Sequence, residues 1–279
     1  MASGPDYVFT RDYLDNNRIN LQHYLWRQLF GYLTHPKIPT DNPNIRIADV
    51  GTGTGIWLTD IGAQLPSSVQ LDGLDISFDA TPPPSWLPPN VRLQHWDIKE
   101  DVPDDLAGKF DIVNIRHFCF VFKNDDIQPV LKNLVRLLKP GGYLQWGDPD
   151  ISSFRIEKTD PKNKDDALTK LVNMFQGHDA RLRPTWVSDL PRHFSEAGLE
   201  DVESDVKDAP PHLAIALHDC SIMMNELVMR KIQNEDALQR LKNLMLEVGK
   251  ETREGSCWAA TRWTVIGRKP ASEEIPGAI

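Results

Sequence analysis

The chain has 279 residues, of which 40% are hydrophobic and 25% charged, and a formal net charge of −9 at pH 7. This length suits one domain with additions, and the apolar and charged fractions exclude a disordered or fibrous chain. The acidic balance, without any block of Lys or Arg, argues against a nucleic-acid substrate, which calls for a basic face to meet phosphates.

A helix is expected over residues 12–33, where Leu14, Leu21, Leu25 and Leu29 recur at near-helical spacing and Gly31 with His35-Pro36 marks the end. Residues 34–44 carry three prolines and form a linker. Residues 45–50 are a short apolar strand running straight into a glycine cluster. Ile56, Ile61 and Leu65 then give a helical face that Pro66 stops. Residues 69–76, 91–96 and 110–115 read as strands two to four, residues 127–138 as a helix, and residues 143–147 as strand five. Such alternation argues for a doubly wound α/β fold with a parallel sheet covered on both faces. Between strands two and three, Pro82, Pro83, Pro84, Pro88 and Pro89 forbid a regular helix and leave a stiff extended loop carrying Trp86.

Beyond Asp150 the alternation breaks. Leu168, Leu171, Val172 and Phe175 mark an inserted amphipathic helix, and Ser188 is expected to cap a helix reaching Ala197 and ending at Gly198. Strand six is expected at 201–206, helices at 213–229 and 238–248, and a last strand over 258–268. The expected layout is an N-terminal helical cap and linker over 1–44 and one α/β domain over 45–270. That domain carries helical insertions at about 160–185 and 211–254, and 271–279 form a tail. No apolar run approaches the ~20 residues needed to span a bilayer. The opening MASGPDYVFT has neither a basic start nor an apolar core, so secretion is not expected. Cys119, Cys220 and Cys257 lie far apart and read as reduced thiols of a cytosolic or nuclear protein.

Chemistry gathers at the end of the first strand, in Asp49-Val50-Gly51-Thr52-Gly53-Thr54-Gly55. Glycines let the backbone turn sharply against a ligand, and amides at the following helix start attract negative charge. The glycines run G-x-G-x-G with Ile56 next, whereas the dinucleotide fingerprint is G-x-G-x-x-G. Asp49, ahead of the loop, suits a ligand with a cationic amino group and no pyrophosphate. Asp75 follows Gly55 at about the spacing of a ribose-binding carboxylate; the alternative is a solvated turn aspartate. Asp97, just after strand three, either accepts an adenine amino hydrogen, with Ile98 or Trp96 against the ring, or caps a turn.

These residues, with Leu137-Leu138-Lys139-Pro140-Gly141-Gly142 before strand five, resemble the class I S-adenosylmethionine-dependent methyltransferases. The resemblance implies a Rossmann-like seven-stranded sheet with an antiparallel final strand, and S-adenosylmethionine as cofactor. It places Gly51, Gly53 and Gly55 beside the methionine portion, Asp49 at its ammonium, Asp75 at the ribose and Asp97 at the adenine. Thr52, Ile76, Ile98 and Asn114 complete the expected cofactor contacts.

A narrower resemblance spans nearly the whole chain: Thr10-Arg11-Asp12-Tyr13-Leu14, Arg18 to Trp26, Pro82 to Val91, and Gly141-Gly142-Tyr143-Leu144-Gln145-Trp146. These stretches are similar to filamentous-fungal methyltransferases, including N-methyltransferases of epidithiodiketopiperazine routes. That likeness implies a natural-product acceptor. The acidic residue that usually follows Gln-Trp falls one place later here, as Gly147-Asp148.

Methyl transfer from a sulfonium gains much of its rate from alignment and exclusion of water, and needs a base only where the acceptor must lose a proton. His117 is the first candidate base, or a histidine of the pocket wall. Asp148 is the second, or a cap of the next segment. Arg116 shares that edge. Arg18, Gln22 and His23, with Asn20, either close over the site from the first helix or form a solvated face. His178 and Arg181 are placed at the acceptor pocket's edge. Trp186 with Met223, Met224 and Met229 either lines that pocket or packs the core. No His/Cys/Asp/Glu spacing suggests a metal site.

The leading expectation is therefore methyl transfer to a small molecule, with nitrogen ahead of oxygen or sulfur. The lid helices are available for a homodimer. The alternatives are a cofactor-binding regulator or scaffold, and a methyltransferase fold recruited to a non-methylating reaction. An NAD-linked dehydrogenase is opposed by the glycine spacing.

Overall fold

A computed structural model describes residues 11–176 and 184–271. Its helices are α1 (Tyr13–Phe30), α2 (Ile56–Gly62), α3 (Ile127–Leu137), α4 (Asp166–Gln176), α5 (Leu190–Glu196), α6 (Pro211–Met229) and α7 (Glu235–Arg253). Its strands are β1 (Arg46–Val50), β2 (Gln70–Asp75), β3 (Val91–His95), β4 (Phe110–Arg116), β5 (Leu138–Pro149), β6 (Arg155–Lys158), β7 (Glu200–Lys207), β8 (Ser256–Ala259) and β9 (Arg262–Arg268). Seven strands form one sheet in the order β3-β2-β1-β4-β5-β9-β7. The first five run parallel, while β9 is antiparallel to both β5 and β7. The seven-stranded Rossmann-like sheet with an antiparallel strand is thus the fold of this chain.

Consecutive residues on a strand point to opposite faces, so a sheet covered on both sides needs apolar residues without alternation. The central strands obey this. Ile47, Ile112 and Ile266 join Trp57, Leu58 and Ile61 of α2 and Leu33 and Ile38 of the linker on one face. Their neighbours Ala48, Val113 and Val265 join Trp146, the α3 residues Val130, Leu131 and Leu134, and Phe194 of α5 on the other. Trp57, Trp146 and Phe194 are among the largest fully buried side chains. Truncating any of them to alanine is expected to cost about 3–5 kcal/mol.

Helix α1 starts where Asp12 accepts hydrogen bonds from the amides of Leu14 and Asp15, at 3.0 and 3.2 Å. It ends at Gly31, whose φ of +84° continues no right-handed helix. The helix lies against α6 through Leu25, Leu213, Leu217 and Cys220. Arg230, just past α6, ties back to Asp12 at 2.8 Å.

Two features depart from the sequence expectation, and a third, the proline-rich loop, matches it apart from one turn. Asp189, not Ser188, is the cap residue of α5, and its side chain makes no capping bond. The segment 258–268 is two strands, broken at Ala260-Thr261. Only β9 joins the main sheet, while β8 pairs antiparallel with β6. The break is held by Thr261, whose carbonyl accepts from the Asp150 amide at 2.8 Å and whose amide donates to Ser153 Oγ at 2.8 Å. The small β6–β8 sheet, with α4, α6 and α7, encloses a separate apolar cluster around Leu168, Leu171, Leu241 and Trp258. The proline-rich loop is irregular except for one 3-10 turn, Pro84–Trp86, and leaves Trp86 81% exposed.

Candidate active site

The loop between β1 and α2 sits at the carboxyl edge of the sheet, where open α/β folds bind ligands. Gly51, Gly53 and Gly55 have φ of +68°, +55° and +73°, a region that side chains with a Cβ rarely enter. At Gly51 the absence of a side chain does more, since a Cβ there would run into the ring of Phe118. Asp49 is buried beneath the loop. Its Oδ1 accepts from Asn114 Nδ2 at 2.7 Å and its Oδ2 from Thr52 Oγ1 at 2.9 Å. Burial raises its carboxyl to about 6, against the opposing pull of Arg116, Asn114 and Thr52. Asp75, ending β2, accepts from the Gly53 amide at 2.9 Å and the Ser77 amide at 3.1 Å. Burial pushes its pKa up and those amides pull it back.

Beside these carboxylates Gly51 is exposed, Ile76 is 47% exposed and Asp97 is half-buried, so the carboxyl ends of β1, β2 and β3 present one open row. Asp97 accepts from the Lys99 amide at 2.9 Å. Ile98 and Trp96 are buried in the core, at 7% and 4% exposure, leaving Ile76 as the accessible apolar surface on this row. The arrangement fits S-adenosylmethionine. An acid raised by burial gains from a cationic ammonium, a bare glycine turn admits a backbone-close ligand, and a carboxylate at the end of β2 suits a diol. A separate hollow of about 630 Å³ lies outside β3, between Arg46, Leu87, Leu93 and Gln94, away from this row.

Helix α1 clamps the edge from above. Asn20 accepts from Thr54 Oγ1 at 2.7 Å. His23 is 1% exposed, with Nε2 2.9 Å from Asp60 and Nδ1 2.8 Å from Arg116 Nη2. Arginine can only donate, so Nδ1 accepts and the imidazole proton resides on Nε2, facing the carboxylate. Burial, then Arg116, lowers His23 to about 4, which keeps it neutral. Arg27 also holds Asp60, at 3.0 Å. Arg116 is depressed to about 10 by its own burial, with Asp49, Asp60 and Asp148 working the other way. Gln145 completes the layer below: its Nε2 donates to Asn114 Oδ1 and to the Leu33 carbonyl, both at 2.9 Å.

The loop after β4 carries the other candidates. His117 has φ of +64°, a left-handed conformation uncommon outside glycine and worth reading as a functional constraint. Asp148 holds this loop in place. It is fully buried and accepts from the amides of Phe118 and Cys119 at 3.0 and 2.9 Å and from Trp146 Nε1 at 2.7 Å. Burial raises Asp148 to about 7, offset in part by those three donors. A chain of fixed donors then sets the tautomer of His117. Arg18, paired with Asp15 at 2.7 Å, donates from Nη1 to Gln22 Oε1 at 3.2 Å. Gln22 therefore turns its amide NH₂ toward His117 Nδ1, at 3.2 Å, and the imidazole proton falls on Nε2. Among the described residues that buried Nε2 has no partner. Burial, followed by Arg116, Arg18 and Arg262, holds the pKa of His117 well below its ordinary value.

The structure thus brings Arg18, Gln22, His23, Arg116 and His117 into one connected edge joined to Asp49 and Asn114. Trp186, 1% exposed, stacks edge-on against Trp146 at 5.2 Å, and its Nε1 is unpartnered. Met229 is buried in the lid cluster, while Met223 and Met224 are half-buried. His178 and Arg181 lie outside the described residues. Sequence reasoning missed Asp60, Gln145 and Phe118. For Gln145 a signal existed, because an amide inside an otherwise apolar strand calls for buried partners. Among the described residues no cluster of His, Cys, Asp or Glu is placed to hold a metal ion, and no helix is long and apolar enough to cross a membrane.

A family model described as "Methyltransferase domain" matches residues 21–204. The N-methyltransferase tcpN of Claviceps purpurea is 30% identical over 204 residues, covering 71% of this chain and 70% of that protein. The methyltransferase grgD of a Penicillium species is 36% identical over 145 residues, covering 49% of this chain and 50% of that protein. Among solved structures, the YcgJ protein of Bacillus subtilis aligns with a TM-score of 0.52 at 15% identity, covering 91% of this chain and 99% of that one, a likeness of fold alone. With the glycine turn, its paired carboxylates and the family match in agreement, this chain belongs to the methyltransferase-domain family and is an S-adenosylmethionine-dependent methyltransferase.

Proposed function

We propose that the chain methylates a small natural-product molecule at nitrogen. When bound, S-adenosylmethionine supplies a methyl group on a positively charged sulfur. Asp49, through Asn114 and Thr52, is the seat for its ammonium, Asp75 for its ribose, and Ile76 with Asp97 for its adenine. The arrangement that supports the nitrogen reading is the set of cations around His117: burial first, then Arg116, Arg18 and Arg262, keep its imidazole neutral. The same neighbours disfavour a proton on an acceptor amine held there, so a nitrogen lone pair is available without a dedicated base. His117 then acts as an Nε2–H donor that orients the acceptor, and Asp148 as the brace of its loop. The N-methyltransferase tcpN supports nitrogen from the side of the relatives.

The test begins with calorimetric titration of S-adenosylmethionine and S-adenosylhomocysteine into the wild type and an Asp75→Ala variant. Binding that the variant loses is expected. A labelled methyl donor is then offered with matched amines, phenols and thiols. Transfer to oxygen or sulfur with none to nitrogen would overturn the acceptor assignment.

A further inference from the structure

Arg262 opens β9 opposite Pro149 of β5 and Lys207 of β7, one place beyond the Asp148–Trp263 pair. It therefore stands at the carboxyl edge of the sheet, next to the strand that positions the His117 loop. Its side chain is only 9% exposed. Among the described residues its guanidinium makes one hydrogen bond, Nη1 to the Ala260 carbonyl at 2.8 Å, and no ion pair. The acid that bears on it, Asp208, is already held by Arg155 at 3.0 Å and by Thr261 Oγ1 at 2.8 Å.

Of the other cations of this edge, Arg18 is paired with Asp15 at 2.7 Å, and Arg116 hydrogen-bonds the neutral His23 while Asp49, Asp60 and Asp148 bear on its charge. A guanidinium taken out of water without a counter-charge is expensive. One carbonyl contact does not account for it, because a neutral glutamine could make the same bond. The strand register locates its surroundings: Asp148, paired with the next residue Trp263, holds the amides of Phe118 and Cys119 in the His117 loop. Arg262 bears on His117 and Cys119 of the loop after β4 and on Cys220 of α6, and Arg18 of α1 bears on both His117 and Cys220. Arg262 thus lies beside that loop, where His117 Nε2 also lacks a partner among the described residues.

We propose that Arg262 is the anion seat of the acceptor site, and that the natural acceptor carries a carboxylate, which Arg262 binds while His117 Nε2–H orients the rest of the molecule. This rests on the small-molecule methyltransferase reading above and names the class of acceptor it takes. A planar fork of donors matches a carboxylate in two parallel hydrogen bonds, which lysine cannot reproduce. One guanidinium beside a neutral imidazole balances a single negative charge and not a phosphate dianion. The missing counter-ion of the protein is then supplied by its substrate.

The test uses the full chain saturated with S-adenosylhomocysteine, titrated with benzoate, phenylacetate and indole-3-acetate and with the primary amide of each. In the wild type at least one carboxylate is expected to bind ten-fold or more tightly than its amide. Arg262→Gln is expected to abolish that preference while leaving amide binding and S-adenosylhomocysteine affinity unchanged, and Arg262→Lys to restore it only in part. Equal binding of acids and amides, binding of none of the six, or an unchanged preference in Arg262→Gln would each overturn the assignment. The wild-type comparison decides even where a variant does not fold. Failure of the methyltransferase reading is read separately, as absence of S-adenosylhomocysteine binding in the first titration.

Discussion

The two halves of the active edge are finished to different degrees. On the cofactor side, each buried carboxylate has its donors: Asn114 and Thr52 on Asp49, Gly53 and Ser77 on Asp75, His23 and Arg27 on Asp60. On the acceptor side and in the lid cluster, His117 Nε2, Trp186 Nε1, Trp258 Nε1 and both amide atoms of Asn225 are buried without a partner among the described residues. Native interiors satisfy almost all such groups, and exceptions of this kind collect where function takes precedence over stability. The cofactor half is pre-organised in the protein alone. The lid half leaves polar atoms that the described residues do not pair.

The largest effect expected from breaking the finished half follows from Asp49→Ala. It removes the proposed countercharge for the cofactor's ammonium and leaves Asn114 Nδ2 without its 2.7 Å partner. A hydrogen bond to a charged group is worth about 1.5–3 kcal/mol, so S-adenosylmethionine affinity should fall roughly ten- to a hundred-fold by calorimetry. Gly51→Ala strikes the same half through the backbone. A left-handed φ costs a non-glycine residue about 1–2 kcal/mol, and the added Cβ also meets the Phe118 ring. A lower melting temperature and weaker cofactor binding are expected. Adding Phe118→Ala should recover the part due to contact and leave the part due to φ.

Much of the finished half was legible in the chain because its parts lie within one strand–turn–helix unit. Asp49, the three glycines and Asp75 are placed by local turn geometry, and 22 residues separate Asp75 from Gly53. The clamp from α1 was legible as a polar face that either closes over the site or is solvated, without its partners. Gln22 meets His117 across 95 residues and His23 meets Asp60 across 37, and no periodicity encodes such pairs. The pairing of β6 with β8 was hidden for another reason. Residues 258–268 read as one alternating strand, and the break at Ala260-Thr261 depends on Asp150 and Ser153, far upstream. Arg262 lies inside the strand expected over 258–268 and drew no reading of its own, since its isolation becomes visible only once its neighbours are known.

A smaller effect is read by pH. His218 of α6 is 1% exposed; its Nδ1 accepts from the Trp258 amide at 3.2 Å and its Nε2 lies 3.0 Å from Thr252 Oγ1. Burial lowers it to about 4 from an ordinary 6.5, so the unfolded chain takes up its proton first on acidification. Its share of stability is fully present above about pH 6.5 and drains as pH falls toward 4. Asp49 and Asp148, raised by burial to about 6 and about 7, act oppositely and drain stability as pH rises from about 4. His218→Gln should therefore shrink the loss of unfolding free energy between pH 7 and pH 5 by roughly 1–2 kcal/mol in denaturant titrations. An unchanged loss would mean that the lid already admits water at this position.

The smallest effect is a gain, and it tests the comparison most directly. Asn225 is 0% exposed on α6, among the lid residues Ile222 and Met229, with neither Nδ2 nor Oδ1 partnered. Leucine has nearly the same shape and nothing to desolvate, so Asn225→Leu removes a penalty of about 1–3 kcal/mol and adds apolar contact, less whatever strain its branching brings. A net gain of about 1 kcal/mol is expected, which in a chain of this size raises the melting temperature by about 2–4 °C. The same variant should turn over an acceptor more slowly, because the amide kept at that cost would no longer be there to be met. Should Asn225→Leu melt lower than the wild type, the amide is satisfied in solution by ordered water. The lid half would then be as complete as the cofactor half, and its unpartnered atoms would say nothing about the acceptor.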